Sequence, residues 1–185
     1  MASITTSPAS VTTWKLDPAH SGAEFKVRHM MISNVKGSFS GLNGTLTENP
    51  SDPSLSSAQT SIDVSTVNTG DAQRDAHLKS ADFFDVEKYP QMTFKSTRVE
   101  RKGEAEYRVT GDPTLRGDTT PVIFAVEGPR APNKDPWGNE RVGLSATTRI
   151  NRKDFGLNWN AALEAGGFLV GDEIQITLEV EYIKG

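Results

Sequence analysis

Apolar and polar residues alternate with a period of two along most of this chain. In residues 23–29 the odd-numbered positions hold Ala, Phe, Val and His, and the even-numbered positions hold Glu, Lys and Arg. This period is typical of β-strands that bury one face and expose the other. Eight segments share a one-sided strand pattern: AEFKVRH (23–29), NVKGSFSGLNGTL (34–46), SAQTSIDVSTV (57–67), QMTFKSTRV (91–99), EYRVTGDPTLRG (106–117), PVIFAVEG (121–128), RVGLSATTRI (141–150) and EIQITLEVEYI (173–183). The chain is therefore predicted to be all-β.

Helical signal is limited to two short segments. Residues 70–80 (GDAQRDAHLKS) favour about two helical turns with Asp71 as the cap. Residues 160–167 (NAALEAGG) favour another short helix that ends at its two glycines. No internal repeat and no Pro/Ser-rich linker divides the sequence, so we expect a single domain with one or two short helices.

Eight one-sided antiparallel strands bury their apolar faces either in a two-sheet sandwich or in a closed barrel. Glycines within the predicted strands favour sharp bending, and therefore the barrel; they are Gly37, Gly41, Gly44, Gly111 and Gly143. Pro113 lacks a backbone N–H, which predicts an edge or a bulge at that position. A barrel of about eight strands is filled by side chains or holds one small ligand. Small residues recur on the inward positions, which predicts an elongated apolar cavity; they are Ala23, Gly37, Ala58, Thr60, Gly111, Ala146 and Thr148.

Composition narrows the classes of partner. The 185 residues include 20 Lys and Arg against 24 Asp and Glu, for a net charge of −4, which argues against a nucleic-acid surface or a polybasic membrane patch. Cysteine is absent, so disulfides, thiolate catalysis and Cys-ligated metal centres are excluded. No run of roughly 18 apolar residues occurs, so no stable membrane insertion is expected. Residues 1–13 are rich in Ser and Thr and are interpreted as a disordered tail, with a cytoplasmic location as the default expectation.

Six segments in order resemble the YceI-like family. They are WKLDPAHSGAEFKVRHM (14–30), NVKGSFSGLNGTL (34–46), RDAHLKSADFFDVEKYPQMTF (74–94), VTGDPTLRG (109–117), INRKDFGLNW (150–159) and GDEIQITLEVEYI (171–183). The resemblance implies an extended, lipocalin-like, eight-stranded antiparallel barrel as a single domain over residues 14–185. It also implies that the chain binds a long amphiphilic lipid, such as a polyisoprenoid or an isoprenoid quinone, in a hydrophobic tunnel. Members of this family are often dimeric, so a homodimer is expected, and many are periplasmic.

The sequence departs from the family pattern in one strand. Family members usually have Leu at the position of Pro113 and an apolar residue at the position of Asp118. The geometry of this strand pair, and the shape of one end of the tunnel, are therefore expected to differ.

The predicted site is a tunnel with apolar walls and a few polar groups at its rim. Wall candidates lie on the inward positions of strands: Phe25, Val27, His29, Phe39, Ile62, Met92, Phe94, Phe124, Leu144 and Ile176. Candidates that cover a mouth lie in loops or short helices: His77, Leu78, Phe83, Phe84, Phe155, Leu157, Trp159 and Phe168. Head-group candidates, beside His77, are Arg74, Arg116 and Arg152. Plain core packing is the alternative role for each apolar residue.

The three histidines leave other chemistry to weigh. His20, His29 and His77 lie on separate elements without the usual ligand spacings, so neither a metal nor a cofactor is expected. His20 is expected to hold a turn by a hydrogen bond, and His29 to be buried and neutral. A GxSxG motif and a phosphate-binding glycine loop are absent. Two alternatives to a non-catalytic lipid carrier stay open: an enzyme acting on an isoprenoid-like lipid through His77 with Asp75 or Asp82, and a filled-core barrel that serves as an interaction module.

The segment RDAHLKSADFFDVEKYP (74–90) is interpreted as a polar lid over an apolar tunnel. Its charged residues are expected to face water or to pin the segment by ion pairs. His77 and Leu78 are expected to turn inward, while Phe83 and Phe84 plug one end of the barrel. The function predicted from the sequence is binding and sequestration or transport of one long lipid, with no catalytic residue.

Overall fold

The computed structural model describes residues 10–185 and contains twelve strands, one α-helix and four short 3-10 helices. The strands are β1 Thr12–Leu16, β2 Gly22–His29, β3 Ser33–Phe39, β4 Leu42–Glu48, β5 Ser57–Asp63, β6 Gln91–Arg101, β7 Glu106–Leu115, β8 Asp118–Thr119, β9 Val122–Glu127, β10 Asn133–Lys134, β11 Glu140–Asn151 and β12 Val170–Lys184. The helix α1 is Ala72–Lys79, and the 3-10 helices are Pro18–His20, Pro53–Leu55, Val64–Thr66 and Arg152–Phe155.

Eight of these strands close into an antiparallel barrel, in the order β11-β9-β7-β6-β5-β4-β1-β12 and back to β11. The β11–β12 ladder completes the ring and pairs Arg141 with Ile183 at one end and Asn151 with Glu173 at the other. The predicted all-β barrel with eight strands in the ring is therefore confirmed. Closure leaves no free edge in the ring, because each of its strands has a partner on both sides.

The long strand β12 pairs with two successive strands on its other side. Its last residues pair with β1 and its earlier residues pair with β2. Strands β1 and β2 therefore lie end to end along the same side of β12, interrupted at Pro18–His20. Strand β3 pairs with β2 and continues into β4 after Ser40 and Gly41. Strands β3 and β5 do not form a ladder with each other. The connection between β5 and β6, which includes α1, lies between them and joins β3 through a bridge from Ser38 to Asn68.

Strand β1 was not among the predicted strands. Its sequence, TTWKL, is short and offers one alternation, in which Trp14 and Leu16 are buried. The tail predicted over residues 1–13 overlaps this strand at Thr12 and Thr13, while residues 1–9 lie outside the described part of the chain.

The helix predicted over residues 70–80 corresponds to α1. Asp71 is its N-cap and accepts a hydrogen bond from the backbone N–H of Arg74 (2.9 Å), as N-cap side chains do. The helix predicted over residues 160–167 was wrong, because this segment forms turns and a bridge between Ala162 and Phe168. The backbone of this segment folds back on itself instead, with the N–H of Leu163 donating to the carbonyl of Gly167 (3.0 Å) and the N–H of Leu169 donating to the carbonyl of Ala161 (2.9 Å).

Pro113 has a ladder partner on only one side of β7. On one side it lies opposite Phe94 of β6. On the other side β7 pairs with β9 up to Gly111 and with β8 from Thr114, so no ladder bond is needed from Pro113. Asp118, the second departure from the family pattern, is exposed and begins β8.

The two ends of the barrel carry different connections. The helix end carries α1, the β2–β3 turn and residues 152–169; the opposite end carries the β4–β5 and β6–β7 connections. Within residues 10–185, no helix has the length and apolar character needed to cross a bilayer.

Candidate ligand-binding cavity

An elongated cavity of about 620 Å³ occupies the interior of the barrel. Its lining includes His29 and His77 at the helix end and Pro50 and Arg101 at the opposite end, so it extends along the barrel. The walls between these ends are predominantly aliphatic and aromatic side chains. This volume falls within the ~300–1,000 Å³ of typical small-molecule sites. A cavity of this size does not fit the filled-core alternative.

Most residues predicted for the site line this cavity. They are Phe25, Val27, His29, Phe39, Ile62, Arg74, His77, Leu78, Phe83, Phe84, Met92, Phe94, Phe124, Leu144, Arg152, Leu157, Trp159 and Ile176. Three predicted residues lie elsewhere. Phe155 is buried in the packed core beside the cavity, Phe168 is exposed on the surface, and Arg116 joins two loops outside the lining.

Two glycines make room for aromatic rings on the cavity wall. Gly37 of β3 lies directly opposite Phe25 of β2, and a Cβ at Gly37 would overlap the Phe25 ring. Gly111 of β7 lies opposite Ser96 of β6, and a Cβ at Gly111 would overlap the ring of Phe94, two residues before Ser96. Each ring therefore occupies space over a glycine that a side chain at that position would otherwise fill.

Three aromatic rings meet at the helix end of the cavity. His77 of α1 is 4.7 Å from Trp159 and 5.1 Å from Phe83, ring centre to ring centre, both in edge-to-face geometry. Phe83 and Trp159 are 5.4 Å apart. Edge-to-face pairs at these separations are favourable for aromatic side chains. This trio (His77, Phe83 and Trp159) lines the helix end of the cavity, where the lid interpretation of residues 74–90 places the mouth.

The His77 ring also contacts a carboxylate. Its Nε2 lies 2.8 Å from Oδ2 of Asp82, and both side chains are partly exposed. Asp75, the other carboxylate considered with His77, instead accepts hydrogen bonds from the N–H (2.8 Å) and hydroxyl (2.5 Å) of Thr69. Arg74 and Asp75, which were expected to face water or to form ion pairs, instead form hydrogen bonds with one residue, because Arg74 also donates to the Thr69 hydroxyl and carbonyl.

The three arginines proposed for a head group are held very differently. Arg152 is only 2 % exposed and donates to the carbonyls of Gly171, Leu157 and Trp159, so it ties the chain after β11 to the start of β12. Burial lowers the pKa of its guanidinium from the ordinary value. Its nitrogens all face backbone carbonyls or Asp172, which makes it a structural residue.

Arg116 and Arg74 complete this set. Arg116 donates to the carbonyls of Gly156 (3.0 Å) and Ala81 (2.7 Å) and so joins two loops of the helix end. Arg74 uses Nε and Nη2 on Thr69, and its Nη1 has no hydrogen-bond partner among residues 10–185. Of the three arginines proposed for a head group, Arg74 is therefore the one that lines the cavity with a donor left for a ligand.

Tyr182 is a polar lining residue that the sequence prediction missed. It is 3 % exposed, and burial raises the pKa of its phenol to about 12, opposed by a hydrogen bond with Thr60. The phenol is therefore neutral at ordinary pH. The alternation in β12 placed Tyr182 on the apolar face, which was the available signal for this position.

A polar cluster lies away from the cavity, around Arg141 at the start of β11. Arg141 donates to Asp17 (2.7 Å), Asp135 (2.7 Å) and Glu181 (2.9 Å). His20 contacts Asp17 at 2.8 Å, which is the turn-holding hydrogen bond expected for it. Hydrogen bonds from Arg141 and then His20 lower the pKa of Asp17 to about 2. Asp17, His20 and Glu181 bring possible metal-ligand atoms within 4.8 Å of one another, but the guanidinium of Arg141 supplies the cation there.

The chain is similar in sequence and in fold to several bacterial proteins. A Vibrio cholerae protein described as a UPF0312 protein is 41% identical over 139 residues, which are 75% of this chain and 73% of that protein. The crystal structure of Burkholderia cenocepacia BcnA has a TM-score of 0.76 at 25% identity and covers 90% of this chain and 98% of its own. A polyisoprenoid binding domain from Saccharophagus degradans has a TM-score of 0.68 and covers 94% of this chain and 99% of its own, and at 16% identity this likeness concerns the fold alone.

The family assignment rests on nearly the whole domain. The family described as the YceI-like domain matches residues 14–182, from the first buried residue of β1 to Tyr182, two residues before the end of β12. The match spans the barrel, α1 and the aromatic residues at the cavity mouth. The chain belongs to the YceI-like family.

Proposed function

We propose that this protein binds one long amphiphilic lipid in its barrel and sequesters or carries it without chemical change. The observation that carries the proposal is the apolar cavity of about 620 Å³ with lining residues from both ends of the barrel. A polyisoprenoid or an isoprenoid quinone is the ligand class, as the family resemblance implies. The S. degradans domain described as polyisoprenoid-binding shares this fold, so the fold is compatible with such a chain.

The dimensions of the barrel favour a long, thin ligand. Strand β6 has 11 residues, which at about 3.3 Å per residue and a tilt near 40° correspond to roughly 28 Å along the barrel axis. An extended hydrocarbon chain uses this length with little width. Each CH₂ group transferred from water stabilises the complex by about 0.8 kcal/mol, so a chain of prenyl units needs no catalytic or charged contact to bind.

The helix end is where we place the head group. Arg74 and His77 both line the cavity there and are partly exposed, and Arg28 and His29 line it from the β2 side. Arg74 has a free Nη1, and His77 lies between the aromatic rings of the mouth. One guanidinium and one imidazole can bind a phosphate, hydroxyl or carbonyl head while the tail lies in the barrel.

The decisive experiment is native mass spectrometry of the purified protein, followed by organic extraction and identification of any lipid. We expect a 1:1 adduct whose mass contains prenyl repeats. Ala146→Phe fills part of the cavity, because Ala146 lines it, and should abolish the adduct. Ala125→Phe is the matched control, since Ala125 is exposed on β9, and it should keep the adduct. An adduct unaffected by Ala146→Phe would place the ligand elsewhere and contradict the proposal.

A second candidate function is an enzyme that acts on such a lipid. The observation that favours it is the 2.8 Å contact of His77 with Asp82 at the mouth, an arrangement in which a carboxylate orients an imidazole. Turnover of bound lipid that is lost in His77→Ala, while the lipid still binds, would establish this function. Bound lipid recovered unchanged from both proteins would establish the carrier.

The cytoplasmic location, the homodimer and the absence of nucleic-acid binding stay predictions. Cell fractionation tests the first, and sedimentation velocity of the purified protein tests the second. A gel-shift assay with DNA and RNA tests the third.

A further inference from the structure

Four exposed apolar side chains cluster beside the mouth of the cavity at the helix end. Met30, Met31 and Ile32 form the turn between β2 and β3 and are 42%, 60% and 75% exposed; Phe168 is 58% exposed. We call these four residues the tip patch. Single exposed apolar residues are ordinary, but a contiguous group of large ones marks an interaction surface.

The members of the tip patch are held together by the backbone. The N–H of Met30 donates to the carbonyl of Leu169 (2.8 Å), and Met31 lies so close to Gly167 that a Cβ there would overlap its sulfur. Phe168 is fixed by the Ala162 bridge. The patch is therefore one surface built from two segments.

The tip patch adjoins the cavity directly along the chain. His29, which precedes Met30, and Leu169, which follows Phe168, both line the cavity. A molecule leaving the cavity past these two residues meets the patch before it meets open water.

Positive charge accompanies the apolar residues on the outer face of the same hairpin. Lys26 of β2 lies directly opposite Lys36 of β3. Arg28 is two residues further along β2 toward the tip, where it borders the cavity and donates to the carbonyl of Met31 (3.2 Å). None of the three forms a salt bridge with residues 10–185. Like charges opposite each other in a ladder are unfavourable for folding, so folding stability does not account for this pair. The cluster is local, and it departs from the expectation of no basic membrane patch that the net charge of −4 gave for the whole chain.

We propose that the tip patch and these three cations dock the barrel reversibly on an anionic lipid bilayer, with the cavity mouth facing the membrane. Apolar side chains that enter the interface, together with Lys and Arg near anionic head groups, are the two attractions that hold a protein on a bilayer surface. The docked orientation gives an amphiphile a path between bilayer and cavity that does not cross water. This mode is peripheral and agrees with the prediction of no stable membrane insertion.

The docking surface is tested by flotation with vesicles of equal parts phosphatidylglycerol and phosphatidylcholine, and with phosphatidylcholine alone. The wild-type protein should float with the anionic vesicles, and added salt should weaken the association because it screens the cations. Ile32→Glu combined with Phe168→Glu should reduce binding about tenfold or more. Lys26→Gln combined with Lys36→Gln should reduce binding to anionic vesicles and leave binding to neutral ones unchanged.

Leu55→Glu is the matched control. Leu55 is 66% exposed, comparable with the patch, but lies in the β4–β5 connection at the opposite end. Equal loss in this variant, or no flotation of the wild-type protein, would overturn the proposal. Sedimentation velocity of the tip variants tests whether the patch joins two copies of the chain instead. Loss of a dimer in Ile32→Glu would identify the patch as a dimer contact and would also overturn docking. Melting temperatures establish that each variant is folded.

Docking and lipid binding in the cavity are measured separately. Vesicle binding of the tip variants is compared with their lipid content by extraction. Lipid retained in a variant that no longer floats supports the docking surface and leaves the cavity proposal intact. Flotation by a protein that holds no lipid supports docking and contradicts the cavity function alone.

Discussion

The ring of Phe25 lies against the backbone of Gly37, its direct partner in the β2–β3 ladder. Any side chain at Gly37 occupies the space of that ring. The ring then has to move toward the lumen, where the cavity is the available space. Gly37 is thus tied to the cavity through its neighbour, although glycine itself offers no side chain to a ligand.

Gly37→Val should therefore reduce both stability and lipid occupancy. Inserting atoms into a filled site costs about 1–3 kcal/mol of the free energy of unfolding, and the displaced Phe25 ring narrows the cavity. Gly143→Val is the control, because Gly143 is exposed on β11 and a Cβ there meets only an ordinary contact with the Val180 carbonyl (3.8 Å). Urea unfolding and native mass spectrometry measure the two effects. Unchanged lipid occupancy in Gly37→Val would separate the glycine from the cavity.

Arg152 predicts a larger loss of stability than a surface arginine. Arg152→Met leaves the carbonyls of Gly171, Leu157 and Trp159 without their donor in a buried region. Each buried group left unsatisfied costs about 1–3 kcal/mol, so for three carbonyls we expect a total loss of at least about 3 kcal/mol in urea unfolding. Arg149→Met, which breaks an exposed contact with Glu173, should cost about 1 kcal/mol or less. Equal losses would contradict the structural role of Arg152.

The strands and their inward faces could be predicted from the sequence, because they follow from the local alternation of apolar and polar residues. The alternation around Phe25 and Val27 identifies a strand and its inward face, and the same reasoning places most of the cavity wall. The structural role of Arg152 could not be predicted from the sequence, because its backbone acceptors lie up to 19 residues away along the chain and come close to it only after β12 has paired. An arginine near an aromatic-rich loop satisfies a head-group interpretation equally well until those acceptors are located.

The segment 160–167 shows a second limit of local patterning. Its residues have adequate helix propensity, yet Asn160 exchanges two hydrogen bonds with Val170, accepting from its N–H (3.0 Å) and donating to its carbonyl (2.7 Å). These long-range bonds turn the segment back along β12. Tertiary contacts outweigh a propensity difference of less than about 1 kcal/mol per residue, so the prediction of a helix was wrong.

We expect the ring of Trp159 to slow the dissociation of a ligand from the cavity. Its ring packs against His77 and Phe83 over the helix-end mouth, so removing the ring opens the exit without changing the deeper walls. Trp159→Ala should raise the dissociation rate of a dansyl-labelled geranylgeraniol probe by about tenfold, which is about 1.4 kcal/mol of lost contact. Trp137→Ala is the control, since Trp137 is 80% exposed in the β10–β11 connection. An unchanged rate in stopped-flow fluorescence would mean that ligand exits elsewhere.

The Arg141 cluster predicts a distinct pH dependence of stability. Arg141 and His20 hold the pKa of Asp17 at about 2, against its ordinary value of 3.8, and Arg141 also holds the pKa of Asp135 well below that value. A carboxyl whose pKa is lowered by folding stabilises the folded state above its unfolded pKa. This contribution is therefore complete at neutral pH and is lost as the pH falls from 3.8 through about 2.

Arg141→Met should lower the melting temperature at neutral pH and flatten its decline across that acidic window. Without the guanidinium, the pKa values of Asp17 and Asp135 return toward the ordinary value, so fewer protons are taken up on unfolding. Arg130→Met is the control, because Arg130 pairs with Glu127 where both side chains are largely exposed, and such pairs contribute little. Calorimetric melting temperatures from neutral pH down to pH 2 measure both variants. A decline as steep in Arg141→Met as in the wild-type protein would assign the acid sensitivity to other carboxylates.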